Sequence, residues 1–517
     1  MPIDTETPRS PGWWLVQLEK RLSARRMGEA VPGVSSPAGR LAAPDPQSAA
    51  RAWQSTRYRG VRPGLDLLND YLRGEPPLPY ASDSWREAML PFIRQARTNL
   101  ADLSVSSVLD RAIPLGWATA AQDDRDGDEA AARVALVNDF ANVVPETLEY
   151  ALSMGDGYML VGPLEGREVP LVTAEDPREV ITAHDSATGR VIAALKLYQD
   201  EWTEKRRAHV YLPGGLVFVF AQTGTSPAKW ELDNEASGRI EGLAGTDLVP
   251  VVRFKNRRGV GEYEPHLDLL DRIDDTVFQR IAIAKYQAFR QRAGIGLPDE
   301  DEDGNEIDYS TIFTADPGAW FKLPEGSSMW ESGVVDLTGV RMAIKDDIIA
   351  FAAVTKTPLH YLTPDAAAGS AEGASMMREG LVYRVEDRRR RFEGPLAQVM
   401  GMCFRLMGDE SRADALAIRT LWQPAERFSL SEKASAAAQA LTTLPQEQIW
   451  TDVWQYTPSD LPRLRAAKAE DLLYAPLEAT PTGPAAAGRA PVASASGQPN
   501  VPASSGAGQG ATPQTGA

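Results

Sequence analysis

The apolar positions along this chain change their spacing several times, and each change marks an element. Residues 10–112 read as helices separated by Pro-rich breaks, with Trp13, Trp14 and Leu15 opening a buried one. Ser84-Trp85-Arg86-Glu87 has capping-box spacing, and behind it Met89, Phe92, Ile93, Ala96 and Leu100 share one helical face. An acidic loop over 123–129 leads into helix over 130–154, which Gly155-Asp156-Gly157 ends. From 158 to 254 the pattern turns strand-like. Strands are predicted at 158–161, 191–198, 209–211, 216–220 and 248–254, with glycine-containing turns at 185–189 and 213–215.

The period then returns to that of a helix. Pro265 opens an unbroken amphipathic run to 293, about 29 residues or roughly 43 Å of helix. Its stripe is Leu267, Leu270, Val277, Ile281, Ala284 and Ala288. Asp268, Asp271, Asp274 and Asp275 come early, and Arg280, Lys285, Arg290 and Arg292 late, which complements the helix dipole. Residues 294–335 break the period, with a strand candidate at 319–323. A second helix follows at 338–354, with Val340, Ile344, Ile348, Phe351 and Ala352 on its apolar side. Small residues over 365–374 lead into a very long helix, 371–407, with a kink expected at Gly394-Pro395. Residues 411–473 read as a small helical cap with a second capping box, Ser429-Leu430-Ser431-Glu432. Beyond about 476 the chain is Ala, Pro, Gly and Ser, too polar and too small to offset its ordering entropy by burial, so a disordered tail is expected.

Composition narrows the function classes. With 517 residues and 43% hydrophobic content, the chain can build two to four domains with cores of their own. Lys+Arg 54 against Asp+Glu 71 gives a net charge of −17, the reverse of the basic footprint of a conventional nucleic-acid binder. The single Cys403 rules out an internal disulfide framework and a Cys-based zinc site; it reads as a buried thiol. No apolar run reaches the length of a membrane span, and the N-terminus has no apolar h-region, so neither a span nor a secretory signal is expected.

No motif with catalytic chemistry stands out. There is no phosphate-loop motif, no H-E-x-x-H and no C-x-x-C. His184, His209, His266 and His360 are far apart in sequence and are expected to be structural or surface residues. No catalytic residue, cofactor or metal is predicted. Asp299, Asp301 and Asp303, with Gly304, imitate the first half of a calcium loop, but Ser310 stands where a bidentate Glu is needed. A solvated acidic turn is the better reading. Arg388, Arg389, Arg390 and Arg391 are consecutive in the long helix and so wrap its circumference instead of forming one DNA-reading stripe. The i,i+4 spacings Glu386 to Arg390 and Asp387 to Arg391 make ion pairs the first expectation, and a phosphate-contacting ring the second. Gly369 and Gly373 follow no strand, so they read as a mobile linker and not as a nucleotide loop.

Several short segments occur in a fixed order. They are Tyr71-Leu72-Arg73-Gly74, Ala96-Arg97-Thr98-Asn99-Leu100, Gly155-Asp156-Gly157-Tyr158, Glu175-Asp176-Pro177, Val249-Pro250-Val251-Val252-Arg253-Phe254-Lys255-Asn256, Thr355-Lys356-Thr357-Pro358-Leu359 and Trp422-Gln423-Pro424. In this order and spacing, over about residues 60–470, the chain resembles the portal (head–tail connector) proteins of tailed double-stranded DNA phages.

The resemblance implies an α+β subunit in a ring of identical copies, typically twelve, around a channel. Residues 1–125 would be the helical part of an outer wing and 126–261 its α/β part. Stem helices would occupy 262–293 and 338–356, with a clip at 294–337 between them. A tunnel loop at 357–373, a kinked spine helix at 374–408, a small helical crown at 409–474 and a tail at 475–517 would follow. The implied function is a non-enzymatic channel at one capsid vertex, through which a terminase motor packages DNA and from which DNA is later ejected. The implied partners are other copies of the chain, duplex DNA without sequence specificity, the terminase large subunit, major capsid and scaffolding proteins, and head-completion and tail proteins. The implied location is the virion, with host cytoplasm during assembly. Candidate residues are Asp268, Asp271, Asp275 and Lys285 on the channel side of the stem. In the tunnel loop they are Leu359, Tyr361, Leu362, Asp365, Gly369 and Ser370, and in the clip Asp301, Asp303 and Asn305. A monomeric capsid-associated adaptor and an unrecognised hydrolase are the competing readings.

Overall fold

The computed structural model describes residues 3–30, 61–78, 92–121, 127–223, 229–288, 292–298, 326–331, 335–362, 371–426, 430–454 and 460–474, with positions 300, 307, 333 and 456. The capping-box position Ser84, the strand candidate at 319–323, Ser429 and the expected tail lie outside these residues. The chain divides into two compact units, Met1–Leu464 and Arg465–Ala517; of the second, residues 465–474 are described and are helical. No helix among the described residues is long and apolar enough to cross a membrane.

The elements begin with helix α1 (Pro11–Met27), strands β1 (Glu29–Ala30) and β2 (Val61–Arg62), and helices α2 (Leu65–Leu72) and α3 (Leu100–Leu109). Strand β3 (Pro114–Ala118), helices α4 (Glu129–Val137) and α5 (Phe140–Met154), and strands β4 (Asp156–Gly162) and β5 (Leu171–Glu175) follow. A five-stranded antiparallel meander comes next: β6 (Val180–His184), β7 (Val191–Gln199), β8 (Arg206–Leu212), β9 (Leu216–Thr223) and β10 (Lys229–Arg239). Strand β11 (Val251–Lys255) returns to pair with β4, giving a three-stranded sheet of order β11-β4-β5.

Helix α1 starts where its sequence allows. Ser10 Oγ accepts from Trp13 N at 3.1 Å, and Pro11 fills the first position, where no donor is lost. Its buried face, Trp14, Leu15, Leu18 and Leu22, packs on Ala193, Leu195, Ala208, Val210 and Phe220 of the meander and makes one core. A second and larger core joins α2 to α5, β4, β5 and β11 to the helices that follow.

Those helices are α6 (Leu267–Ala288), α7 (Thr338–Thr355), the short α8 (Leu359–Leu362) and α9 (Ala371–Leu406), with a pair β12 (Arg292–Ile295) and β13 (Ser328–Glu331) between α6 and α7. Helix α9 buries Leu381, Val385, Phe392, Leu396, Val399, Met400 and Cys403, a stripe that lies along β11, where Phe392 meets Phe254 at 6.3 Å between ring centroids. Burial pushes the Cys403 thiol up to about 12, so it stays protonated and inert. The helix continues through Pro395 as one element. Strand β14 (Arg419–Trp422), helix α10 (Leu430–Ala440) and helix α11 (Leu461–Tyr474) complete the described chain.

Four expectations are corrected. The helix predicted through Leu100 stops after Gln95, and α3 starts afresh where Asn99 Oδ1 accepts from Asp102 N at 3.3 Å. The helix predicted over 130–154 is two, α4 and α5, broken at Asn138 and Asp139. Asn138 Nδ2 donates to Val134 O and Pro170 O at 3.1 and 3.0 Å while its Oδ1 accepts from Val172 N at 2.9 Å, so the side chain ties the break to β5. The run from Pro265 is a turn of 3-10 helix followed by 22 residues of α-helix, not 29, because Arg292 and Ala293 already pair with Glu331 and Trp330. The 411–473 stretch is not wholly helical: β14 crosses back to pair with β3.

Candidate functional site

The region with the most specific architecture is the pair of helices α6 and α7 and the turn from which α6 springs. Helices α6 and α7 lie antiparallel. Arg272, near the start of α6, reaches Asp347 with two bonds of 3.1 and 2.7 Å, and Gln287, near its end, donates to Val335 O at 2.9 Å just before α7 begins. Ile344 and Phe351 of α7 are buried in the large core, with Val340 and Ile348 packed against it. Helix α7 ends in a Schellman motif: Lys356 adopts φ 55°, Thr357 N bonds Ala352 O at 2.9 Å and Lys356 N bonds Ala353 O at 3.3 Å.

Helix α6 springs from residues 256–264, and this turn is pinned from every side. Gly155 and Gly261 permit the approach of α5: a Cβ on Gly155 would meet Gly259 O at 2.3 Å, and one on Gly261 would meet Ser153 O at 2.0 Å. Tyr263 OH donates to Leu68 O at 2.7 Å, and Glu264 accepts from Arg62 Nε at 2.8 Å and from Gly261 N at 2.9 Å.

At the centre sits Glu262. Arg388 grips it with two bonds of 2.6 and 3.1 Å, Arg384 Nε adds one at 2.9 Å and Asn256 Nδ2 one at 3.0 Å. All three charged side chains are at least nine-tenths buried. Burial alone would raise the Glu262 carboxyl; Arg384 and Arg388 outweigh it and hold the pKa below the usual value. Arg384 also donates to Thr355 O at the end of α7 and to Ser104 O of α3 at 2.7 Å. One guanidinium thus ties the start of α6, the end of α7, α3 and α9 together.

A second tie joins α6 to the turn before α3. Asp274 is buried, and its carboxylate accepts from Thr98 N at 3.0 Å and Thr98 Oγ1 at 2.6 Å. Burial raises its pKa to about 6, the Thr98 bonds pull against that, and Asp271 adds to the rise.

The candidates named from sequence land in different settings. Asp268 is exposed, and Asp275 is half-buried and accepts from Gln279 Nε2 at 3.1 Å. Asp271 accepts the Tyr71 hydroxyl, so it is engaged with α2. Lys285 Nζ lies 4.9 Å from the Phe92 ring centroid, a cation–π contact. Tyr361 OH accepts from Arg111 at 3.1 Å, and Leu359 and Leu362 share its short helix. Asp299, Asp301, Asp303, Asn305, Asp365, Gly369 and Ser370 lie outside the described residues. The arginine run splits. Arg388 and Arg389 turn inward, Arg389 bonding Arg111 O and lying 5.6 Å from the Trp422 ring, where burial lowers its pKa to about 10. Arg390 and Arg391 face out and pair with Glu386 at 3.7 Å and Asp387 at 3.0 Å.

The residues that sequence reasoning missed are Glu262, Arg384, Asn256, Asp274 and Thr98 as partners. A signal was present: Arg384 and Arg388 are four apart on the face that carries Leu381, Val385 and Phe392, and a charge inside an apolar stripe implies a buried counter-charge.

Comparison with known proteins gives this architecture its context. A family model described as phage portal protein, SPP1 Gp6-like, matches residues 117–472, a span that includes α6, α7, the Glu262 junction and α9. The chain belongs to this portal family. Its role is therefore that of a portal, or connector, and the family is a structural one. Among solved structures, the portal chain is similar to the neck of an empty GTA particle computed with C6 symmetry, at 11% identity and TM-score 0.37, covering 76% of this chain and 100% of that one. It is also similar to the neck of a native GTA particle computed with C12 symmetry, at 13% identity and TM-score 0.38, covering 72% and 94%. The virion of a native gene transfer agent particle gives 11% identity and TM-score 0.35, with 75% and 94% covered. No curated protein matches.

Proposed function

We propose that this portal chain assembles as a ring of about a dozen copies at one capsid vertex, and that duplex DNA is packaged and later released through its centre. The observation that carries this reading is the antiparallel α6–α7 stem, anchored at its base by Glu262, Arg384 and Arg388 within a matched portal segment. A rigid base lets such a stem line a channel without collapsing under the moving duplex. In this reading residues 1–261 form the wing, 262–293 and 338–356 the stem, 294–337 the clip that meets the terminase large subunit and later the head-completion proteins, and 357–373 the tunnel loop.

The acidic balance fits transport. Lys and Arg contacts to phosphate release counterions and bind DNA tightly, which would hold the duplex still. A ring of twelve such chains carries on the order of −200 formal charges, but screening over about 8 Å leaves only the lining residues to act on DNA. Asp268 and Asp275 are the proposed repelling groups. Negative-stain imaging and native mass of the purified full chain test the reading: a ring with a central hole is expected. A monomer that binds capsid proteins would favour an adaptor, and a monomer with turnover a hydrolase.

A further inference from the structure

Helix α7 carries two apolar faces. Ile344 and Phe351 are buried in the large core. On the opposite side Met342, Ile349 and Ala353 form an exposed stripe, with Met342 61% and Ile349 37% exposed. At 3.6 residues per turn these three positions fall within about 40° of arc. A helix apolar all round is normally one buried all round, so the stripe calls for a cover. Arg341 and Lys345 stand along one edge of it, and neither forms an ion pair among the described residues. Asp346 stands on the other edge.

The same chain exposes a row of complementary character. On α9, Glu379, Tyr383 and Glu386 recur every three or four residues on the side away from the buried Leu381, Val385 and Phe392. Tyr383 is 59% exposed, and its hydroxyl bonds Glu379. Glu386 lies 3.7 Å from Arg390, an exposed pair that constrains it little. One patch is thus apolar with a basic edge, and the other is an aromatic ring between two acids. Two unlike patches that complement each other on one chain make a head-to-tail contact between copies. Repeated with a rotation that closes, such a contact builds a ring and not a two-fold dimer.

We propose that the outer face of α7 in one copy packs on the Glu379–Tyr383–Glu386 row of α9 in the next copy. Met342 and Ile349 cover the Tyr383 ring, and Arg341 and Lys345 meet the acids that flank it. This contact rests on the ring reading and deepens it by naming the two faces that meet. It leaves the acids of α6 outside the contact. The test is native mass of the purified full chain over a dilution series. The comparison uses wild type, Met342→Glu, Lys345→Glu, Glu379→Lys and a double variant carrying Lys345→Glu with Glu379→Lys. Far-UV circular dichroism of each protein reports the fold, which changes at exposed positions should leave intact.

Met342→Glu should stay monomeric at concentrations where wild type forms rings, because it sets a charge against the aromatic row. Lys345→Glu and Glu379→Lys should each raise the concentration at which rings fall apart by about tenfold, since each sets like charges together. The double variant restores opposite charges at every contact of the ring and should recover most of that loss. A general loss of surface charge balance would not produce this recovery. Wild-type rings with all four variants assembling equally well overturn the α7–α9 contact and leave the ring reading standing. A double variant no better than the two single ones overturns α9 as the partner of α7. A wild type that forms no ring at any concentration overturns the ring reading, and the contact falls with it.

Discussion

Asp274 is an acid placed where charge is costly. In sequence it is one of four early acids of an amphipathic helix; in the fold it is buried and bonded to Thr98. Its pKa, raised to about 6 from 3.8, means that the folded state binds this proton more tightly than the unfolded state. The stability gained from that proton is fully present below about 3.8 and is lost as pH rises through about 6. Asp274→Asn mimics the protonated form and keeps an acceptor for Thr98. It should therefore be more stable than wild type by about 1–2 kcal/mol at pH 7–8, with the advantage vanishing near pH 4. Paired denaturation curves across that range check the sign; a variant less stable at pH 8 would show that the ionised carboxylate is needed.

At the scale of elements, the base of the α6–α7 pair is tied by a buried ionic junction in addition to its apolar packing. Removing Glu262 leaves Arg384 and Arg388 buried without their carboxylate, and such a loss costs about 3–5 kcal/mol. The expected outcome for Glu262→Ala is a loss of that size in chemical denaturation, with tryptophan fluorescence as the probe. Arg390→Ala removes an outward-facing pair in the same arginine run and should cost under about 1 kcal/mol. If the two variants lose the same stability, the junction is not an anchor of the α6–α7 pair. The same contrast explains what was legible here. The i,i+4 pairs on the exposed side of α9 could be read from spacing alone. The partners of Arg384 and Arg388 could not, because Glu262 is more than a hundred positions away in sequence.

For the whole molecule, we propose that Asp268, exposed on α6, faces the channel. Asp271 is a poorer probe of that role, since its bond to Tyr71 also holds α2. Asp268→Asn is expected to leave ring formation unchanged in native mass and to alter DNA packaging in an assembly assay, most clearly at low salt, where screening is weakest. Loss of the ring itself would make Asp268 an assembly residue instead.

Some features were determined by the sequence itself. Period and turn chemistry placed β7, β8 and β9 of the meander, the start of α1, the glycine stop at Gly155, and the two helices α7 and α9 close to where they lie, while β6 and β10 went unread. These are local consequences of side-chain spacing and backbone freedom, and the ordered segments along the chain carried the family resemblance. Tertiary structure decided the rest. It broke the helices at Thr98-Asn99 and Asn138-Asp139, where side chains bond distant backbone or carboxylate groups more favourably than the helix can. It ended α6 at Ala288 and gave the cap a strand, since β12 and β14 take partners from elsewhere in the chain. It also sorted four neighbouring arginines into two buried and two exposed. The physical reason is the same throughout: a buried polar group must find its partner wherever the fold brings one, and sequence distance carries no record of that choice.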